Sequence, residues 1–165
     1  AIACGLVILF MIIYYSTGGL VADLAVVINV IVIVALLSAF GGTLTLPGIG
    51  GLILTIGMAV DANILIFERI REELRRGRSL KAAVDEGYSK ALSSILDSNI
   101  TTFITGVILF YFGTGPVQGF AVTLMIGIIM TLFTAIMITR AVFNLMIAGG
   151  THHINFGQPS YNAQS

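Results

Sequence analysis

Charge is what this sequence has least of. Only 10% of its 165 residues are Asp, Glu, Lys or Arg, where a soluble domain carries about 25%. Hydrophobic residues make up 57%, and the mean hydropathy is +1.03. That balance argues against a water-soluble fold. A single cysteine, Cys4, excludes an internal disulfide and reads as a small buried apolar residue. The net charge is zero, which suggests no nucleic-acid partner. The chain does not begin with Met, and no basic segment precedes its first apolar run, so this start is not a signal peptide. The expectation is a piece of a longer chain with at least one earlier span.

What the sequence does have is long apolar runs. A membrane helix needs about 20 mostly apolar residues, and five candidate spans appear: 1–15 (truncated), 20–40, 48–67, 95–112 and 120–148. The predicted fold class is therefore an all-α membrane protein, a bundle over 1–148. Short links separate the spans: STGG, GGTLTLP and GTGPVQG. Pro47 and Pro116 stand where a following helix can begin. The one long connection, 68–96, holds seven of the eight basic residues; the eighth is Arg140. Arg75-Arg76-Gly77 looks like a helix C-terminus and Ser79 like the next N-cap. Leu80, Ala83, Val84, Gly87, Tyr88, Ala91, Leu92 and Ile95 then follow at helical spacing. They predict an amphipathic helix lying on the membrane surface before the chain re-enters.

Positive residues mark the cytoplasmic side. The 68–96 connection and STGG are then inside, GGTLTLP and GTGPVQG outside, residue 1 outside and the C-terminus cytoplasmic. The tail, 149–165, has no charge and no period and reads as disordered. His152-His153 lack further ligands, so no metal or other cofactor is expected.

Against that background one residue stands out. Asp61 lies about 10 Å inside the Glu68 boundary at 1.5 Å per residue, where a charged aspartate costs roughly 2.5–3.5 kcal/mol. A carboxyl there is either a proton carrier or a protonated hydrogen-bonding link between helices. Gly50, Gly57, Asp61 and Glu68 share one helix face, and Gly51, Thr55, Ala59 and Asn63 nearly the opposite one. Small residues on both sides predict a helix sandwiched within the bundle, with Asp61 buried among its neighbours. The last span repeats the pattern in Gly119, Thr123, Gly127, Thr131, Ala135 and Thr139. The fourth offers Ser98, Thr102 and Gly106, with Thr101 and Thr105 beside them. These stripes are either close packing alone or also polar support for Asp61, from Asn63, Thr101, Thr102, Thr105 and Thr131. Asp23 is expected to reach the headgroups, and Asn29 to be polar glue. The Glu68–Arg78 block reads as a mainly solvated anchor or as a docking surface.

The stretch GMAVDANILIFERIREELRRGRSLKAAVDEGYSKALSSILDSNITT, continued by FGTGPVQGFAVTLMIGII, resembles the SecD family of the bacterial Sec protein-export machinery. The likeness covers most of residues 20–145. Val60-Asp61-Ala62-Asn63 has the SecD form of a motif that in SecF places the acidic residue after Asn. Both resemble the resistance-nodulation-division exporter superfamily in their six-helix halves. The resemblance implies spans two to six of a six-span half in the bacterial inner membrane. It implies SecF, the SecYEG channel and a translocating preprotein as partners, and proton flow driving export. The family's membrane carboxylate corresponds to Asp61, with its cationic partner in SecF. The pulling domain and the second half fall outside this piece, and the tail after Met146 matches nothing in the family. Rival readings are a scaffold subunit and a proton-driven small-molecule exporter. An intramembrane aspartyl protease, the rival from the enzymes, lacks its GxGD context and a second deep aspartate here.

Overall fold

Inside hydrocarbon a backbone must satisfy its own hydrogen bonds, so apolar runs of this length become helices. The computed structural model describes residues 2–39 and 45–149, and among them the regular structure is entirely helical. The elements are α1 (Ile2–Tyr15), α2 (Thr17–Ala39), α3 (Leu46–Arg75), α4 (Leu80–Phe112), α5 (Pro116–Phe133), a π-helical segment (Thr134–Ile138) and α6 (Thr139–Ala148). Four runs are long and apolar enough to cross a membrane: α2, α3, α4 and the continuous Pro116–Ala148. With 14 residues, α1 is shorter. Residues 41–44 of the GGTLTLP link lie outside the described residues. So does the tail from 150 on, with His152 and His153.

The ends of the helices are set locally. Thr45 caps α3, accepting from the Gly48 N–H at 3.1 Å, and Pro47 sits in the first turn. α3 stops at Arg75, and Gly77 takes a φ of +84° that suits glycine. Ser79 caps α4 through the Ala82 N–H. The STGG link is tighter than expected, since α2 already starts at Thr17. Only Ser16, at φ +48°, separates it from α1. Gly19 meets the Met11 carbonyl so closely that a Cβ would lie 2.6 Å from its carbon.

α3 is the centre of the bundle and packs most extensively on α5 and α4. Its small face, Gly51, Thr55, Ala59 and Asn63, is buried against the small stripe of α5. A Cβ at Gly127 would lie 2.9 Å from Thr55 Cβ, and one at Gly51 3.3 Å from Thr123 Cβ. Small side chains let these backbones approach, which is how helices gain packing where water supplies no driving force. Asn29 of α2 donates to Thr131 Oγ1 at 3.2 Å, tying α2 to α5.

One expectation about the long connection needs correction. The amphipathic segment is not a separate surface helix: it is the first part of α4, which runs unbroken for 33 residues. At 1.5 Å per residue α3 and α4 are about 45 and 50 Å long, against a hydrocarbon thickness of about 30 Å. They therefore extend beyond the membrane as an antiparallel hairpin. The apolar face of Ala83, Val84, Gly87, Tyr88, Ala91 and Ile95 is buried in one core with Phe67, Ile70 and Phe143. Protein, not lipid, covers it. At Gly87 the helices are so close that a Cβ would lie 2.9 Å from the Ile70 nitrogen.

The charged block is mainly solvated, as expected, except at Arg71 and Glu73. Glu73 is fully buried, with Lys90 bonded to its carboxylate and Arg78 Nε at 2.9 Å. The Lys90 hydrogen bond and charge outweigh the cost of burial and hold the Glu73 carboxyl below the usual carboxylate range. Arg71 is buried too, bonded to Glu68 at 3.0 Å and stacked over Tyr14 at the end of α1. Glu72 pairs with Arg69 and Arg76. The last span also differs from expectation. It contains the π-helical segment, at whose end Thr139 Oγ1 donates to the Thr134 carbonyl at 3.1 Å.

Candidate functional site

Asp61 sits at the middle of α3, and the neighbour that shapes its surroundings is α4. The two helices form a groove of about 170 Å³ lined by Met58, Asp61, Ala62 and Leu65 from α3 and by Ile95, Ser98, Asn99 and Thr102 from α4. The expectation that Asp61 is buried among helices of this chain is overturned: it is exposed. The reason lies in the two small faces of α3. Only one of them meets α5. On the other, a Cβ at Gly50 or Gly57 would find nothing within 4 Å. Periodicity shows that a face is small; it does not show that a neighbour covers it.

Among the described residues no ion pair reaches Asp61. The cations of the chain are gathered in the α3–α4 hairpin and at Arg140, which bonds Asp85 at 3.3 Å. The polar groups that line the groove with it are the Ser98 and Thr102 hydroxyls and the Asn99 amide.

The other candidate residues divide by position. Thr102 lines the groove with Asp61, and its hydroxyl proton goes to the Ser98 carbonyl at 2.9 Å, leaving the oxygen as an acceptor. Thr101 and Thr105 are exposed on α4 outside the groove and donate to the Asp97 and Thr101 carbonyls. Asn63 is on the opposite side of α3, buried, donating to the Ala59 carbonyl at 3.0 Å. Thr131 is occupied by Asn29. The structure therefore brings Thr102 to Asp61 and leaves Asn63 and Thr131 with the α2–α3–α5 packing.

Asn99 is the groove residue that sequence reasoning missed. It is buried, its amide donates to the Ile95 carbonyl at 2.7 Å, and its Oδ1 has no hydrogen-bond partner. The signal was present: Tyr88, Ala91, Ile95, Asn99 and Thr102 form one helical stripe. It was cut by ending the amphipathic segment at Ile95. Asp23 also departs from expectation, being buried within the bundle rather than reaching outward.

Comparison with known proteins agrees with this architecture. The family model for protein export membrane protein SecD/SecF, C-terminal, matches residues 1–149. The protein translocase subunit SecD of Rhodothermus marinus is 65% identical over 142 residues, covering 86% of this chain and 23% of that protein. That of Desulfurispirillum indicum is 62% identical over 146 residues, covering 88% and 28%. The crystal structure of SecDF, a translocon-associated membrane protein from Thermus thermophilus, superposes with a TM-score of 0.86 at 42% identity. It covers 90% of this chain and 21% of that one. SecDF in its super-membrane-facing form gives the same TM-score at 38% identity, covering 99% and 23%. The chain spans about a quarter of the length of the curated relatives it matches.

Proposed function

The chain belongs to the SecD/SecF family of protein-export membrane proteins, and from that membership we propose that it works as part of an accessory subunit of the bacterial Sec translocon, in the cytoplasmic membrane. In this reading it promotes the export of preproteins through the SecYEG channel and is driven by the proton-motive force. It is a transport component and not an enzyme, and it needs no cofactor.

One observation carries the proton reading: Asp61, on the central helix, opens from its groove onto a face that no other helix covers among the described residues. A lone charged carboxylate is costly at that depth. A partner helix bearing a cation would stabilise the charged form, and withdrawing the cation would favour the protonated one. Alternating between these arrangements couples proton uptake and release to movement of one half against the other. We assign that covering surface to the SecF half. Residue 1 then faces outward, and the α3–α4 hairpin and C-terminus face the cytoplasm, following the distribution of basic residues.

The test is Asp61→Asn in the full-length protein, followed by preprotein translocation into membrane vesicles with and without a proton gradient. The amide keeps the size and hydrogen bonding of the acid but does not change charge. The expected result is a folded, assembled protein whose translocation no longer responds to the gradient, while ATP-driven initiation continues. An Asn variant with a normal gradient response would leave Asp61 as a packing group and the chain as a scaffold.

A further inference from the structure

A second acidic side chain inside the bundle has no role in this reading. Asp23 lies on α2, in a cavity of about 200 Å³ where α1, α2 and α3 meet. Its walls are alkyl: Val7 and Ile8 from α1, Val26 and Val30 from α2, Ile56 and Val60 from α3. Asp23 is only 9% exposed, and its Oδ2 is shut off from solvent with no hydrogen-bond partner among the described residues. No cation lines the cavity. Among the described residues the only other titratable group on its wall is the Cys4 thiol, and α3 contributes only alkyl side chains.

We propose that Asp23 is a second proton-binding site, which holds its carboxyl as the neutral acid while α1, α2 and α3 are packed together. A carboxylate at this position would face alkyl side chains and the Cys4 thiol, a weak donor at best, without a cation to offset the loss of water. One proton taken from water removes the charge, and its return to water on ionisation restores it. Apolar walls tolerate the acid and oppose the anion, so proton release is coupled to admission of water or separation of the three helices. The site is distinct from the Asp61 groove, which is formed by the other side of α3 with α4, and it does not depend on the role proposed for Asp61.

Infrared spectroscopy of the full-length protein in lipid tests this directly, because a protonated carboxylic acid shows a carbonyl stretch that a carboxylate lacks. At neutral pH the wild type should show such a band. Asp61→Asn should keep this component, and Asp23→Asn should lose it. If Asp23→Asn does not assemble, Asp23→Glu retains an acid in the cavity and should move the band. A spectrum that neither loses nor shifts the band on substitution of Asp23 overturns the proposal. Loss of gradient-driven translocation in Asp61→Asn with the band intact would bear on Asp61 alone.

Discussion

Replacing Gly127 by alanine adds a single carbon, yet it should separate the two most extensively packed helices. The new Cβ would lie 2.5 Å from Thr55 Cγ2 and 2.9 Å from Thr55 Cβ. Thr55 cannot turn aside freely. It is β-branched, fully buried, and its hydroxyl donates to the Gly51 carbonyl at 2.8 Å. The contact is therefore relieved by moving backbone, and overpacking of this kind costs about 1–3 kcal/mol. Gly57 is the control: on the same central helix a Cβ there meets nothing within 4 Å. Gly57→Ala should gain up to about 1 kcal/mol from helix propensity. Gly127→Ala gains the same propensity, so the two variants should differ by the overpacking cost of roughly 1–3 kcal/mol, or about 5- to 150-fold in the unfolding equilibrium. Reversible denaturation of the chain in lipid bicelles reads that difference. Thr55→Ala removes Oγ1 and Cγ2, two of the three atoms the new Cβ would meet, so the Gly127→Ala, Thr55→Ala double variant should recover part of the loss. Favourable coupling of about 0.5–3 kcal/mol is expected. Equal stability of Gly127→Ala and Gly57→Ala would refute the close approach of α3 and α5.

Other expectations concern the hairpin, the interior bond and the orientation. Because the folded-state Glu73 carboxyl is held below its usual range, the stability it provides is full above the ordinary glutamate value of about 4.3 and is lost as pH falls below it. Lys90→Met should start that loss at higher pH, seen as earlier hydrogen exchange over residues 68–90; unchanged acid sensitivity would count against the buried ion pair. Thr131→Val removes the acceptor of Asn29 and should cost about 0.6 kcal/mol and no more than about 1.7 kcal/mol, the range found for bonds between membrane helices. A larger loss in bicelle denaturation would mean that Thr131 does more than accept that bond. Cysteines placed at Val117 should label from outside and those at Gly77 only from the cytoplasmic side, and the reverse pattern would overturn the orientation read from basic residues.

The features legible from sequence were those decided within a turn or two of chain. Pro47, Gly77, Ser79 and Pro116 set helix ends through neighbours three or four residues away, and the small stripes follow from periodicity alone. The continuity of α4 was obscured by a change in composition at Ile95. There the stripe passes from apolar Ala91 and Ile95 to polar Asn99 and Thr102, although the helix has no reason to break.

By itself, then, the sequence determined that the chain is a bundle of membrane helices, where its charged hairpin begins, and that Asp61 lies deep in a span. Tertiary structure decided which faces meet. Asn29 finds Thr131 across 102 positions of chain, Glu73 is enclosed by Lys90 and Arg78, and Asp23 turns inward to an alkyl cavity. The same packing leaves Asp61 open, because the small face behind it is filled by α5 and the face bearing it is not. Helix periodicity specifies the direction in which a side chain points, but burial depends on what stands opposite, and that is fixed only when distant segments pack.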